Sequence, residues 1–227
     1  MEQMLNQLCP NVVYYFDELV KAFIDTLLMV GISGFFSTLL GLPLGVLLVV
    51  TRDGDLLENK VLNKVIGKSL NLVRAIPFII LLAFIKPFTR LLVGTSIGLT
   101  GALVPLIIGA IPFVARQVEL ALLDVDKGVI EAAKAMGSSP FEIIYRILLK
   151  ESLAGITYAL TLTIVSLIGY SAIAGAVGAG GLGDFAIRYG YQIYKTDVMV
   201  VTVIILILLV TSIQTLGEIL QRRLSHQ

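Results

Sequence analysis

Residues 26–51, TLLMVGISGFFSTLLGLPLGVLLVVT, contain no Asp, Glu, Lys or Arg. Three further stretches are equally uncharged, and they cover residues 91–115, 152–183 and 198–217. A helix needs roughly 20 apolar residues to cross a hydrocarbon core of about 30 Å, and each stretch meets that length. A fifth candidate, residues 69–88, is weaker because Arg74 and Lys86 bracket a short uncharged run. The chain therefore has about five candidate membrane spans.

The composition is that of a membrane protein. The 227 residues are 57% hydrophobic with a mean hydropathy of +0.93, and only 15% are charged. Backbone groups in hydrocarbon must bond within their own segment, so the spans are predicted to be helices. We predict an all-α polytopic membrane protein forming one domain over 1–227, with spans at about 19–50, 69–88, 93–115, 152–178 and 198–217. The formal net charge of +1 points to no nucleic-acid partner.

Basic residues near the span ends predict the orientation, because cytoplasmic loops carry an excess of Lys and Arg. With alternating sides, one set of loops holds twelve basic residues and the other holds five. The first set is Arg52, Lys60, Lys64, Lys68, Arg74, Arg116, Lys127, Lys134, Arg146, Lys150, Arg222 and Arg223; the second is Lys21, Lys86, Arg90, Arg188 and Lys195. This predicts an external N-terminus and a cytoplasmic C-terminus, which requires an odd number of spans. The first residues lack the basic start and apolar run of a cleavable signal peptide.

Residues 126–150 form a polar island between two apolar stretches. Asp126 is placed to cap a short helix, and Gly137 to end it in the left-handed conformation. The sequence SSPFE then predicts a capping box between Ser139 and Glu142, with proline at the first helical position. A helix of about ten residues is ~15 Å long and cannot span a bilayer. We predict a compact cytoplasmic knob with Val129, Ile130, Ala133 and Met136 on its apolar side; the alternative is a helix lying on the inner leaflet.

This island resembles the EAA loop of ABC-importer permeases. The family pattern is EAA, three residues, Gly, nine residues, Ile, any residue and Leu-Pro. Here the matching positions are Glu131, Ala132, Ala133, Gly137, Ile147 and Leu149, and Lys150 stands where the family usually has proline. The resemblance implies that residues 126–150 contain a short coupling helix between spans three and four that contacts an ATPase. We call residues 126–150 the EAA element.

The resemblance extends along the chain to the permeases of methionine importers. It is carried by RAIPFIILL at 74–82, VGTSIG at 93–98 and GYSAIAGAVGAGGLGDFAIRYGY at 169–191. It implies that the chain is a permease subunit in the bacterial inner membrane and not an enzyme. The implied substrate is methionine, in its L-form or in both its D- and L-forms. The implied partners are a second copy of the chain, two cytoplasmic ATPases that bind ATP and Mg, and an external substrate-binding lipoprotein.

The residues themselves also point to an outside source of energy. The chain has no G-x-x-x-x-G-K-[ST] phosphate loop, and its predicted spans show no Asp, Glu or His relay of the kind that couples transport to ions. Cys9 is the sole cysteine and His226 the sole histidine, so we predict no catalytic residues and no metal site. Three alternatives stay open: a permease for another small amino acid or solute, an ion-coupled secondary carrier, and a passive channel.

The glycine-rich end of the fourth span is the predicted translocation path or gate. The candidate residues are Tyr170, Ser171, Ile173 and Val177, with helix packing as the alternative role. Gly178, Gly180 and Gly183 satisfy the G-x-G-x-x-G pattern of dinucleotide sites. That motif functions between a strand and a helix, and this chain has no such unit. We therefore predict close packing or a helix end with unusual backbone angles at these glycines.

Overall fold

The computed structural model describes residues 9–225, and all regular structure in that range is helical. The predicted all-helical fold is confirmed, whereas His226 lies outside the described residues. Eight elements are plain α-helices: α1 Pro10–Tyr14, α2 Phe16–Val50, α3 Lys60–Ala75, α4 Phe78–Phe84, α5 Lys86–Val93, α6 Gly98–Leu123, α7 Lys127–Ala135 and α9 Leu153–Ala176. Another, α8, joins Pro140–Glu142, π-helical Ile143–Leu148 and Leu149–Glu151. Last come α10, made of Gly181–Phe185 and π-helical Ala186–Gln192, and α11 Thr196–Ser225.

Four of these helices, α2, α6, α9 and α11, are long and apolar enough to cross a membrane. A fifth span requires α3 and α4 together. The candidate span over 69–88 is not one continuous helix, because α3 ends at Ala75 and α4 begins at Phe78. Ile76 is extended (φ −84°, ψ 121°), since a residue before proline is pushed out of the helical region.

The third predicted span also differs from the helix observed. Residues 93–115 were expected to form it, yet α6 covers Gly98–Leu123 and so carries Arg116 and Glu119 inside a helix. The prediction stopped at the first charged residue. A helix continues through charged positions when their side chains find partners, which both residues do here.

The residues divide into two compact units. Within the described residues, the first comprises 9–35, Pro77–Ile108 and Ile164–Ile213, and the second comprises Phe36–Ile76, Gly109–Thr163 and 214–225. In the first unit, a buried cluster forms from Leu19, Ala22, Leu182, Phe185 and Val198. In the second, the buried cluster is Val49, Val50, Val114, Val118, Leu122 and Leu148.

Two glycines of α2 allow close helix packing within the second unit. A Cβ at Gly41 would lie 2.7 Å from the Cβ of Val114, and one at Gly45 would lie 2.7 Å from the carbonyl oxygen of Ala115. The GxxxG pair of the sequence therefore brings α2 against α6, as small residues do between membrane helices. This contact lies two turns before the end of α2.

Candidate functional site

Helix α7, the first part of the EAA element, begins and ends at the predicted residues. The Asp126 carboxylate accepts a hydrogen bond from the Gly128 N–H at 2.7 Å. At the other end Gly137 has φ +80°, its N–H bonds the Lys134 carbonyl at 3.0 Å, and the Ser138 N–H bonds the Ala133 carbonyl at 3.1 Å. This pair of bonds is the Schellman arrangement, which satisfies the last helix carbonyls and reverses the chain sharply.

Helix α8 starts with a complete capping box. The Ser139 hydroxyl accepts from the Glu142 N–H at 3.4 Å, and the Glu142 carboxylate accepts from the Ser139 N–H at 3.0 Å and the Ser139 hydroxyl at 2.8 Å. The hydrogen bond from the Ser139 N–H is the main cause that lowers the pKa of Glu142 below its usual range, and the bond from the Ser139 hydroxyl is the next. Both bonds favour the charged form of the carboxylate. Residues 143–148 then form a π-helical segment. The two helices of the EAA element are therefore joined by a defined turn.

The family motif residues divide into a buried and an exposed set. Ala133 is 1% exposed and Ile147 and Leu149 are half-buried, whereas Glu131, Ala132 and Gly137 face outward. The strongest anchor is Leu148, which is buried in the cluster with Leu122 and which the motif did not single out. The alanine at 133 thus packs inward while the acidic residue of the motif stays available to a partner.

The predicted apolar side of α7 is only partly correct. Ile130 is half-buried and packs on the cluster of the second unit, but Val129 is exposed and Met136 is 79% exposed. Two aromatic residues of α8 are also exposed, Phe141 at 74% and Tyr145 at 77%. Their i, i+4 spacing places them on one helix face, a signal present in the sequence but not used. The EAA element therefore presents large apolar side chains outward.

An open cavity of about 250 Å³ lies beside α7 within the second unit. Its charged lining residues are Asp53, Asp55, Lys127, Glu131 and Lys134, and its apolar floor includes Leu122, Ile130 and Leu148. Mixed charge around an apolar floor suits contact with a protein surface, where a polar rim surrounds a dry centre.

Two arginines pair with a buried carboxylate at the end of α6 that leads into the EAA element. Glu119 is 5% exposed and receives Arg52 at 2.8 Å and Arg116 at 2.6 Å. Glu119 lies in α6 beyond the span predicted at 93–115, which contains no acidic residue. Each oxygen of the carboxylate is already held by its own arginine. This pairing differs from the ion-translocating relays that the prediction set out to exclude.

The four candidate gate residues do not share one environment. Ser171 is buried and donates to the Ile168 carbonyl at 2.8 Å. The half-buried Tyr170 stacks on Phe78 with ring centroids 4.7 Å apart. Ile173 on α9 and Val177, directly after the end of α9, are both exposed. The four candidates therefore include an exposed apolar pair and a buried polar residue.

The glycine-rich segment has the unusual backbone angles and close packing predicted from the sequence. Gly178, Gly180 and Gly181 all have positive φ, between +78° and +91°. A Cβ at Gly175 would lie 2.5 Å from the Asp184 nitrogen, so α9 and α10 meet at backbone distance. The Leu182 N–H also donates to the Thr26 hydroxyl at 2.8 Å, which fastens this turn to α2.

Comparison with known proteins agrees with this architecture. The family model "Binding-protein-dependent transport system inner membrane component" matches residues 37–226. The chain is 51% identical to the "Probable D-methionine transport system permease protein MetI" of Vibrio cholerae, over 93% of this chain and 94% of that protein. It is 46% identical to the "Methionine import system permease protein MetP" of Bacillus subtilis, over 77% and 78% of the two chains.

Solved structures give the same result. A chain from the "Inward facing conformations of the MetNI methionine ABC transporter" superposes with a TM-score of 0.90 at 48% identity, covering 92% of this chain and 97% of that chain. A chain from the "Crystal structure of an amino acid ABC transporter with histidines" shares the fold at 20% identity and a TM-score of 0.79. Together, the family match and these identities place the chain in the family of binding-protein-dependent transport system inner membrane components.

Proposed function

We propose that this chain is the permease subunit of an ATP-driven methionine importer. The observation that carries the proposal is the EAA element, in which the short capped helix leaves Glu131 and Met136 exposed and α8 leaves Phe141 and Tyr145 exposed. The names of the similar proteins from Vibrio cholerae and Bacillus subtilis support methionine as the substrate. The chain forms the path through the membrane and catalyses no reaction itself.

The proposed assembly contains two copies of this chain, two cytoplasmic ATPase subunits and an external substrate-binding lipoprotein. The chain forms one domain of five spans in the bacterial inner membrane, with α3 and α4 together as the second span. Its N-terminus is outside and its C-terminus is cytoplasmic. ATP and Mg bind to the ATPases and not to this chain.

The proposed mechanism is alternating access. Closure of the two ATPases on ATP draws the EAA elements together, since Glu131, Ala132, Ala133 and Gly137 lie at the contact. Ile147 and Leu149 pass the displacement into α9. The exposed pair Ile173 and Val177, with Tyr170 and Ser171, forms the gate that opens toward the binding protein. Such a mechanism requires that the ATPases bind the two permease states with different affinity.

Uptake in reconstituted vesicles tests this function. The permease, the ATPase and the binding protein are assembled, and entry of labelled L-methionine is followed with ATP present or absent. We expect ATP-dependent uptake that unlabelled L-methionine suppresses and that an ionophore leaves unchanged. Suppression by D-methionine would show that both forms use the same path.

Other outcomes would identify the alternatives. Uptake suppressed by another amino acid but not by methionine indicates a permease for a different solute. Uptake abolished by the ionophore indicates an ion-coupled carrier, and flux without ATP indicates a passive channel. Either of the last two results would contradict an ATP-driven importer.

A further inference from the structure

The triad of Arg52, Arg116 and Glu119 connects three parts of the second unit at one buried carboxylate. Arg52 follows the end of α2 directly and bonds Glu119 Oε1 at 2.8 Å. Arg116 lies one turn before Glu119 on α6 and bonds Oε2 at 2.6 Å. Both bonds are charge-assisted, and such bonds are shorter and more directional than neutral ones.

Arg116 extends this connection to α3. Its second guanidinium nitrogen donates to the Gly67 carbonyl at 3.2 Å and to the Asn71 side chain at 3.0 Å. A planar guanidinium can serve acceptors on two sides at fixed angles, whereas a lysine ammonium cannot. The end of α2, the middle of α3 and the end of α6 therefore share one hydrogen-bonded network.

Other contacts hold α2, α3 and α6 together without involving Glu119. The Asn63 side chain of α3 donates to the Leu48 carbonyl at 2.6 Å and to the Thr51 hydroxyl at 3.0 Å. Gly41 and Gly45 of α2 also pack closely against α6, a few residues before Arg52 and Glu119 in the two helices. Removal of the carboxylate should therefore loosen the network without separating the helices.

The location of the triad gives it a specific role. Glu119 lies one turn before the end of α6 at Leu123, and α7 of the EAA element begins at Lys127. Displacement of α7 is therefore passed back along the chain into the end of α6, beside the triad. We infer that Glu119 is a positioning residue, which makes α2 and α3 follow the EAA element when the ATPases move it. This inference rests on the proposed function.

The test compares substrate moved per ATP hydrolysed in reconstituted complexes. Glu119→Gln keeps the side-chain volume but removes the charge that holds both arginines. We expect the complex to assemble and hydrolyse ATP while the ratio of transport to hydrolysis falls by about threefold or more, a change typical of mutations along coupling networks. Glu58→Gln is the matched control, because Glu58 belongs to an exposed ion pair with Lys60 in the same region. It should leave the ratio unchanged.

Arg116→Lys provides a second variant that keeps every charge. A lysine cannot hold Glu119 and α3 together, so the ratio should fall here as well. If Glu119→Gln fails to assemble, Arg116→Lys decides the question on the same readout. An unchanged ratio, or a proportional loss of transport and hydrolysis, would overturn the inference because it would leave Glu119 with a purely structural role.

Spin-label distances measure directly how firmly α3 is held relative to α7. Labels replace the exposed Lys64 on α3 and Lys127 on α7, with Cys9 changed to serine, in the assembled complex. We expect one narrow distance distribution in the parent and a clearly broader one with Glu119→Gln. Equal widths would overturn the inference. Absence of any ATP-driven uptake by the unmodified complex would instead refute the proposed function, so the two failures are distinguishable.

Discussion

At the scale of single residues, the EAA element depends on backbone geometry at one position. Gly137 has φ +80°, and a Cβ built there meets no atom within 4 Å. The cost of a side chain is therefore conformational rather than steric, since L residues avoid the left-handed region by roughly 1–2 kcal/mol. Glycine is required here because it ends α7 and reverses the chain.

Because the cost at Gly137 is conformational and not steric, a second glycine with the same geometry provides a matched control. Gly137→Ala and Gly94→Ala both place alanine at a helix C-terminus with positive φ and open space around it. We expect each to lower stability by about 1 kcal/mol. Only Gly137→Ala should also reduce ATP-driven uptake relative to ATP hydrolysis, because only that residue shapes the EAA element.

Thermal unfolding and vesicle transport of the two purified variants provide the measurements. Equal loss of coupling in both variants would show that general destabilisation, and not the geometry of the EAA turn, controls transport.

Residue-scale interactions were predictable where both partners are close in the sequence. Asp126, Gly137 and the capping box of Ser139 and Glu142 were correctly identified, since each acts within five residues. The burial of Glu119 was missed because, although Arg116 lies three positions before it, its other partner Arg52 lies 67 positions away. Nothing in the local pattern around Glu119 distinguishes a buried carboxylate from a solvated one.

At the scale of elements, the start of α8 has a charge-dependent stability. The bonds from Ser139 lower the pKa of Glu142, so the folded state binds this proton less readily than the unfolded state. The capping box therefore contributes stability above the ordinary pKa of glutamate, and this contribution is lost as the pH falls through the lowered value.

Glu142→Gln tests this dependence. Glutamine retains the shape of the cap but cannot ionise, so we expect the parent to be more stable than the variant at pH 7. The difference should begin to shrink as the pH falls below the ordinary pKa of glutamate and should vanish as the pH falls through the lowered pKa of Glu142. Thermal midpoints of the detergent-purified protein between pH 7 and pH 3.5 provide the measurement, and a constant difference would contradict the assignment.

The elements also show where sequence patterns fail. Uncharged stretches located α2, α6, α9 and α11, because apolar length is a property of the chain alone. They failed at the end of α6, where paired charges continue the helix, and at residues 69–88, where the extended Ile76 before Pro77 divides the run. The residue preceding proline was a usable signal for that break.

At the scale of the whole molecule, the proposal joins a membrane path to an external motor. The sequence contains no phosphate loop, and the buried carboxylate of the second unit is occupied by two arginines. The family resemblance, the exposed face of the EAA element and its connection to α2 and α3 support a chain that receives work from a partner.

The side of the membrane on which the EAA element lies tests this account most directly. Single cysteines replace Lys134 in α7 or Lys195 just before α11, in a chain with Cys9 changed to serine and without the ATPase. A membrane-impermeant maleimide is applied to intact cells and to inverted vesicles. The account predicts that the cysteine at 134 reacts only in inverted vesicles and the cysteine at 195 only in intact cells. Labelling of position 134 from outside the cell would contradict it.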